Sequence, residues 1–144
     1  MWTDGTYDLN NVFAKIVRRE LPSAVVYEDE DVLAFMDAFP QQEGHVLVIS
    51  KTSTARHLLD ADTATLRKLI VVVQRIAAAV CTAWRPDGVV IAQLNGPKAG
   101  QTVEHLHFHV IPHRAEQPLM AHGQPADPDR LSSLASELAM ALPG

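Results

Sequence analysis

Three histidines alternate with large apolar residues at His105-Leu106-His107-Phe108-His109, and the run continues Val110-Ile111-Pro112. Successive side chains of a β-strand point to opposite faces. A strand here projects His105, His107 and His109 onto one wet face and sends Leu106, Phe108 and Val110 into a core. With a rise of roughly 3.3 Å per residue, the imidazoles stand about 7 Å apart, which suits a row lying along a phosphate chain. Three readings compete. An exposed strand face that merely carries histidine requires strict alternation by chance. A metal site is the second, since His-x-His offers two ligands to zinc, copper or iron. The third is a catalytic row, with one imidazole as nucleophile and its neighbours as hydrogen-bond donors.

The preceding residues favour the third reading. Gly96-Pro97-Lys98-Ala99-Gly100-Gln101-Thr102-Val103 leads into the strand. Glycine and proline mark a loop, and small residues such as Gly100 let backbone N–H groups approach an anion. Gln101 and Thr102 add short polar side chains able to reach phosphate oxygens. Lys98 is either an extra cation or a solvated loop lysine.

The elements that must hold this row are readable from periodicity. Asn10 or Asn11 caps a short helix running to Arg19, closed by Pro22. Segments 24–28 and 32–38 bracket the acidic turn Asp29-Glu30-Asp31 as a hairpin. Residues 45–50 are nearly all apolar, as in a central strand. Asp62 or Thr63 starts a long helix with Leu66, Leu69, Ile70, Val73, Ile76, Ala77 and Val80 as its buried face. Residues 89–94 form a strand before the loop. Asp127-Pro128-Asp129 opens a last helix striped by Leu131, Leu134, Leu138 and Leu142, after a loop over 115–126. Without regular βαβ alternation, the expected class is α+β with an antiparallel sheet.

Composition sets bounds. At 144 residues the chain is expected to form one domain, 1–144, with a core over about 11–114 and a C-terminal loop and helix over 115–144. The single Cys81 excludes an intrachain disulfide and suits a reducing compartment. No secretory signal is visible in Met1-Trp2-Thr3-Asp4-Gly5. The most apolar stretch, 69–84, is short for a membrane span and contains Gln74 and Arg75. The expectation is a cytoplasmic protein with no membrane partner. A net charge of −5 argues against non-specific nucleic-acid binding, while leaving room for a small phosphorylated ligand.

Gly100-Gln101-Thr102-Val103-Glu104-His105-Leu106-His107-Phe108-His109-Val110-Ile111 resembles the signature of the histidine triad (HIT) family of nucleotide hydrolases and transferases. Phe13-Ala14-Lys15-Ile16-Val17-Arg18, Leu33-Ala34-Phe35-Met36-Asp37 and Gly44-His45-Val46-Leu47-Val48-Ile49 extend the resemblance over roughly residues 11–114. The resemblance implies a HIT-like fold: about five antiparallel strands, a long central helix, and short N-terminal and C-terminal helices. It implies that His107 attacks the α-phosphorus of an adenosine or other purine nucleotide conjugate, with the backbone carbonyl of His109 fixing its tautomer. A nucleotidyl-His107 intermediate is then hydrolysed to a nucleoside monophosphate. His105 and His109 are expected to hydrogen-bond phosphate oxygens or the leaving atom, and Gly100, Gln101 and Thr102 to bind phosphate. Asp37 is expected to accept hydrogen bonds from a ribose diol. Phe13, Ile16 and Phe35 match positions that sandwich the base, or else are plain core. His45 takes a structural or supporting role, His57 and His122 lie on the surface, and Arg114 either meets a distal phosphate or is solvated.

The departures carry information too. Many bacterial members of this family have Cys-x-x-Cys where this chain has Asn11-Val12-Phe13-Ala14, and a histidine where it has Ser53. Their structural zinc is therefore expected to be absent, and no cofactor is required, with magnesium accompanying polyphosphate substrates only. Leu94 stands where relatives usually carry Asn or Gln against the phosphate or leaving group. Two substrate branches stay open, P–N conjugates (phosphoramidates, aminoacyl adenylates) and dinucleoside polyphosphates. The N-terminal half leans to the first and the 95–102 loop with Pro112 to the second. A homodimer is implied by the resemblance. A nucleotide-binding regulatory protein with little turnover is the reading from a different class. A cupin-like metalloenzyme is opposed by the helical 62–84 segment.

Overall fold

Asn11 starts the chain's first helix by accepting a hydrogen bond from the Ala14 amide at 2.9 Å, satisfying one of the orphan donors of a first turn. This helix, α1, spans Val12–Val17. The structure is a computed structural model and describes residues 1–118 and 123–144, so His122 lies outside the described residues. Asp29 turns the chain between β1 (Val25–Glu28) and β2 (Val32–Met36) by accepting from the amides of Asp31 and Val32, both at 2.8 Å. After β3 (Val46–Ser50), Asp62 caps α2 (Thr63–Trp84) by accepting from the Thr65 amide at 2.7 Å. Then come β4 (Gly88–Ala92), β5 (His107–His113) and α3 (Pro128–Met140), with proline in the first turn of α3.

The five strands form one antiparallel sheet in the order β1-β2-β3-β5-β4, as the α+β, HIT-like expectation requires. Register decides what each face carries. Leu33 pairs with Ile49 and Ile49 with His107, while Phe35 pairs with Leu47 and Leu47 with His109. These residues share one face, where Leu33, Phe35, Leu47 and Ile49 gather with Phe13 of α1 into a small apolar cluster. The other face presents Ala34, Met36, Val46, Val48 and Val110 to Leu69, Val73, Ile76 and Val80 of α2 and to Leu131, Leu134 and Leu138 of α3. The main core thus lies between the sheet and the two longer helices. The histidines lie on the thin side, beside α1.

Three expectations are corrected here. Ile70 is 50% exposed, and Val72 and Ala79 take its place in the buried row of α2. Adjacent helical residues differ by about 100°, and the sheet covers only the side that carries Leu69, Val72, Val73, Ile76 and Val80. Ile70 and Val71 are left on the outer side. The histidine strand starts at His107 rather than His105, because the Leu106 amide donates to the Ala55 carbonyl at 2.9 Å and not to a neighbouring strand. β4 ends at Ala92 because the Gln93 and Asn95 side-chain amides bond each other, at 2.9 and 2.8 Å, and leave the ladder. Among the described residues, no helix is long and apolar enough to cross a membrane.

Candidate active site

The ladder positions of Ile49 and Leu47 place His107 and His109 side by side, with ring centroids 4.9 Å apart. The face is not wet, as expected from alternation, but covered: His105, His107 and His109 are 2%, 4% and 9% exposed. Phe13 supplies the cover, standing edge-to-face on His107 at 5.0 Å. Such burial makes each ring nitrogen's partner a matter of several kcal/mol, so the hydrogen bonds identify the tautomers.

A backbone amide can only donate. The Gln41 N–H donates to His45 Nδ1 at 3.1 Å, so that nitrogen carries the lone pair and Nε2 the proton. His45 Nε2 therefore donates to His109 Nδ1 at 2.9 Å, and the proton of His109 resides on Nε2. A carbonyl can only accept. His107 Nδ1 donates to the His105 carbonyl at 2.6 Å, leaving the lone pair of His107 on Nε2. His105 Nε2 donates to the Ser50 carbonyl at 2.9 Å, so its Nδ1 accepts from the Tyr7 hydroxyl at 2.7 Å.

The carbonyl that fixes His107 is that of His105, not that of His109 as expected. His109 is flanked by strands on both sides, with partners Leu47 and Ala92, and its backbone is committed to the sheet. His105 precedes the ladder, so its carbonyl is free to accept. His105 also departs from the expected phosphate contact, since both of its ring nitrogens are engaged within the protein.

These assignments require neutral imidazoles, and the surroundings enforce that. Burial holds His45, His105 and His109 down to about 4, with the neighbouring His107 adding to the effect; the Ser50 carbonyl opposes it at His105, and Asp37 at His109. Burial also lowers His107, opposed by the His105 carbonyl and the Asp37 charge. The sign for stability follows from proton binding. Unfolded histidine takes up a proton below about 6.5, whereas the folded rings resist down to about 4. Stability is therefore full above pH 6.5 and falls as pH drops toward 4. Burial raises the Asp37 carboxyl above its ordinary 3.8 and works in the opposite sense, as one group against four. We expect a urea midpoint clearly lower at pH 5 than at pH 7, by on the order of 1–2 kcal/mol for each of His45, His105 and His109. A midpoint equal or higher at pH 5 contradicts the buried neutral cluster.

Asp37 follows β2 and is held there by its amide, which donates to the His45 carbonyl at 2.9 Å. Its Oδ1 accepts from the Phe39 amide at 2.9 Å, and its Oδ2 stands 3.5 Å from His45 Nε2. The carboxylate thus lies at the His45–His109 end of the row. Phe35 is buried in the small cluster edge-to-face with Phe13 at 5.6 Å, while Ile16 is only half-buried against it. Gln101 is corrected from a phosphate contact to a loop brace. It is buried, its Oε1 accepts from the Gly96 amide at 2.9 Å, and its Nε2 donates to the Arg56 carbonyl at 2.6 Å and the Val103 carbonyl at 3.1 Å. A buried amide must satisfy both ends, which leaves none for a ligand. Gly100, with φ +104, is exposed, and so are Thr102 and Lys98. Arg114 donates to the Trp84 carbonyl at 3.2 Å. His57 is buried rather than on the surface; neither ring nitrogen has a hydrogen-bond partner among the described residues, and Asp60 Oδ2 stands 3.6 Å from its Nε2. Tyr7 was not singled out from sequence, since nothing local marks a residue 98 positions from its partner.

Asp37, His45 and His109 each offer one ligand atom within 4.8 Å of the others, close enough to surround a cation. The donor set does not fit one. A metal on His45 Nε2 requires the other nitrogen to carry the proton and donate it, yet that nitrogen accepts from an amide. The zinc site of cysteine-bearing relatives does not fit either. Asn11 Oδ1 accepts from Ala14, its Nδ2 donates to the Asp8 carbonyl, and Ser53 Oγ accepts from the Ala55 amide. What remains is one imidazole with a free lone pair, a second beside it with an N–H, and a carboxylate beyond.

The profile of the HIT domain matches residues 18–116. The chain is similar to adenosine 5'-monophosphoramidase HNT1 of Saccharomyces cerevisiae, 36% identical over 147 residues spanning 100% of this chain and 90% of the yeast protein. It superposes on a Hit-like protein involved in cell-cycle regulation from Bartonella henselae with a TM-score of 0.91 and 46% identity, over 96% of this chain and 100% of that one. A zinc-bound histidine triad family protein from Mycobacterium smegmatis matches at 38% identity and a TM-score of 0.79, over 92% of this chain and 93% of that one. With the HIT domain matched over most of its length and the histidine row in place, this chain belongs to the histidine triad (HIT) family.

Proposed function

We propose that the chain is a nucleotide hydrolase that cleaves at the α-phosphate of an adenosine or other purine nucleotide conjugate and releases the nucleoside monophosphate. The observation that carries this is the 2.6 Å bond from His107 Nδ1 to the His105 carbonyl, which leaves the Nε2 lone pair of His107 free at neutral pH. That nitrogen attacks phosphorus, the P–N bond to His107 forms, and the bond to the leaving group breaks. His109 Nε2–H, positioned by His45, hydrogen-bonds the departing nitrogen or oxygen, which takes its proton from solvent. Water then attacks phosphorus in the nucleotidyl-His107 intermediate, the P–N bond to His107 breaks, and the proton of the attacking water passes to solvent. Asp37 accepts from the ribose diol, Phe13, Phe35 and Ile16 form the wall on which the base lies, and the loop amides around Gly100 with the Thr102 hydroxyl hold phosphate oxygens.

A P–N conjugate is the favoured substrate, because the yeast relative aligned over the whole chain carries that activity in its name. A second copy of the chain completes the assembly. Ile70 and Val71 on the outer side of α2 and Ile91 on the edge strand β4 leave apolar surface that a dimer removes from water. One observation favours weak turnover with a regulatory binding role instead. His105 and Gln101 are spent within the protein and Leu94 is apolar, so side-chain donors for phosphate are few.

The test is monophosphate release from an adenosine phosphoramidate, an adenylated lysine and two diadenosine polyphosphates, with and without magnesium, alongside sedimentation equilibrium. Release from the P–N pair, by a dimer, supports the proposal. Preference for the polyphosphates moves the substrate to the other branch. Nucleotide binding with no release from any of the four establishes the binding-protein reading.

A further inference from the structure

We propose that Tyr7 is a positioning residue of this site: its hydroxyl locks the His105 ring, and through the His105 carbonyl it holds His107 in its nucleophilic tautomer. The inference rests on the hydrolase reading for its kinetic consequence but not for its structural one.

The His105 ring is clamped at both ends. Its Nε2 donates to the Ser50 carbonyl at 2.9 Å and its Nδ1 accepts from Tyr7 at 2.7 Å, with the two rings 5.7 Å apart. The ring is 2% exposed, so water does not replace a lost partner there. Removing the tyrosine oxygen leaves a buried lone pair. The ring then relaxes by turning or by moving its proton to Nδ1, and either change loosens the bond to Ser50. The carbonyl of this same residue is the acceptor for His107 Nδ1 at 2.6 Å. A displaced acceptor lets the His107 proton shift to Nε2, which removes the attacking lone pair.

The segment that carries Tyr7 is built to stay in place. Arg56 is buried and donates from Nη2 to the Thr3 carbonyl at 2.7 Å and from Nη1 to the Asp4 carbonyl at 3.4 Å. Gly5 crosses this guanidinium with φ +134, where an added Cβ would stand 3.0 Å from Nη1. Trp2 stands edge-on to His57 at 4.9 Å and covers Gly96, whose absent Cβ would come within 3.2 Å of the indole. Residues 2–7 therefore lie across both the loop and the histidine row. The matched HIT domain spans residues 18–116, and this strap lies ahead of it.

Tyr7→Phe tests the inference, since it keeps the ring and deletes one oxygen. Two-bond proton–nitrogen NMR of ¹⁵N-histidine-labelled protein reads tautomers directly, whether or not a substrate is known. Wild type is expected to show His105 protonated on Nε2 and His107 on Nδ1. In Tyr7→Phe, His105 is expected to lose its single tautomer and His107 to gain Nε2–H character, with unchanged folding by thermal melt. Hydrolysis is expected to fall roughly three- to tenfold in kcat with KM nearly constant, the scale of one hydrogen bond. Wild-type tautomers at His105 and His107 in the variant overturn the inference, and so does a KM change without a kcat change. A wild type inactive on every substrate but with the predicted tautomer shift removes the hydrolase reading and leaves the positioning role standing.

Discussion

His107→Ala loses turnover by a factor on the order of 10³ or more, while nucleoside monophosphate binding changes by only a few fold. The size follows from the role. A nucleophile that forms the bond to phosphorus has no partial substitute, because water in its place lacks the fixed approach and the lone pair directed by the His105 carbonyl. Binding is spared because Asp37 and the loop around Gly100 belong to other segments. Ile49 and Leu47 continue to set the register of β5. Deleting the ring opens space beside Phe13 rather than in the main core, so folding survives. Rapid-quench kinetics with a labelled nucleotide provide the check, because on the proposed mechanism wild type is expected to accumulate label on protein and the variant is not. A variant that keeps activity within tenfold of wild type ends the covalent mechanism.

Gly44→Ala is expected to be strongly destabilising. Gly44 has φ +94, and an added Cβ would stand 2.7 Å from Cζ3 of Trp84 and 3.0 Å from Cγ of Pro112. Neither neighbour yields easily, one being a ring that closes α2 and the other a proline inside β5. A left-handed backbone with a side chain costs about 1–2 kcal/mol, and overpacking about 1–3 more. The sum, roughly 2–5 kcal/mol, lowers the melting temperature by about 6–19 °C in a chain of this size. Gly44 also aims His45, the next residue, at His109, so the hydrogen-bond donor to the leaving group is misplaced as well. Calorimetry decides the matter: a melting temperature within 2 °C of wild type shows that the turn accommodates the methyl.

Much of the architecture was legible in the order of residues. Asn11, Asp29 and Asp62 announce their turns and caps because a short polar side chain reaching its own backbone is a local event. The helical stripe of α3 and the apolar run of β3 were equally readable, since one period describes each. The long helix was less so. Ile70 satisfies the same spacing as Leu69 and Val73, and only the position of the sheet shows that it faces outward. At the site, the row of His105, His107 and His109 was legible from alternation and Asp37 entered through the family resemblance, whereas Gln101 and His105 were given ligands that the structure does not leave them free to take.

What the residues determined by themselves is therefore the chemistry available: a histidine row beside a glycine-rich loop, and an acidic residue ending a strand. Tertiary structure decided which nitrogen of each ring carries its proton. That depends on single donors and acceptors, the Gln41 amide four residues from His45 and, brought in from afar, the Ser50 carbonyl and the Tyr7 hydroxyl at His105. An imidazole's two tautomers are nearly alike until burial removes water and leaves one partner per nitrogen. No spacing in the chain encodes contacts made across 55 or 98 residues.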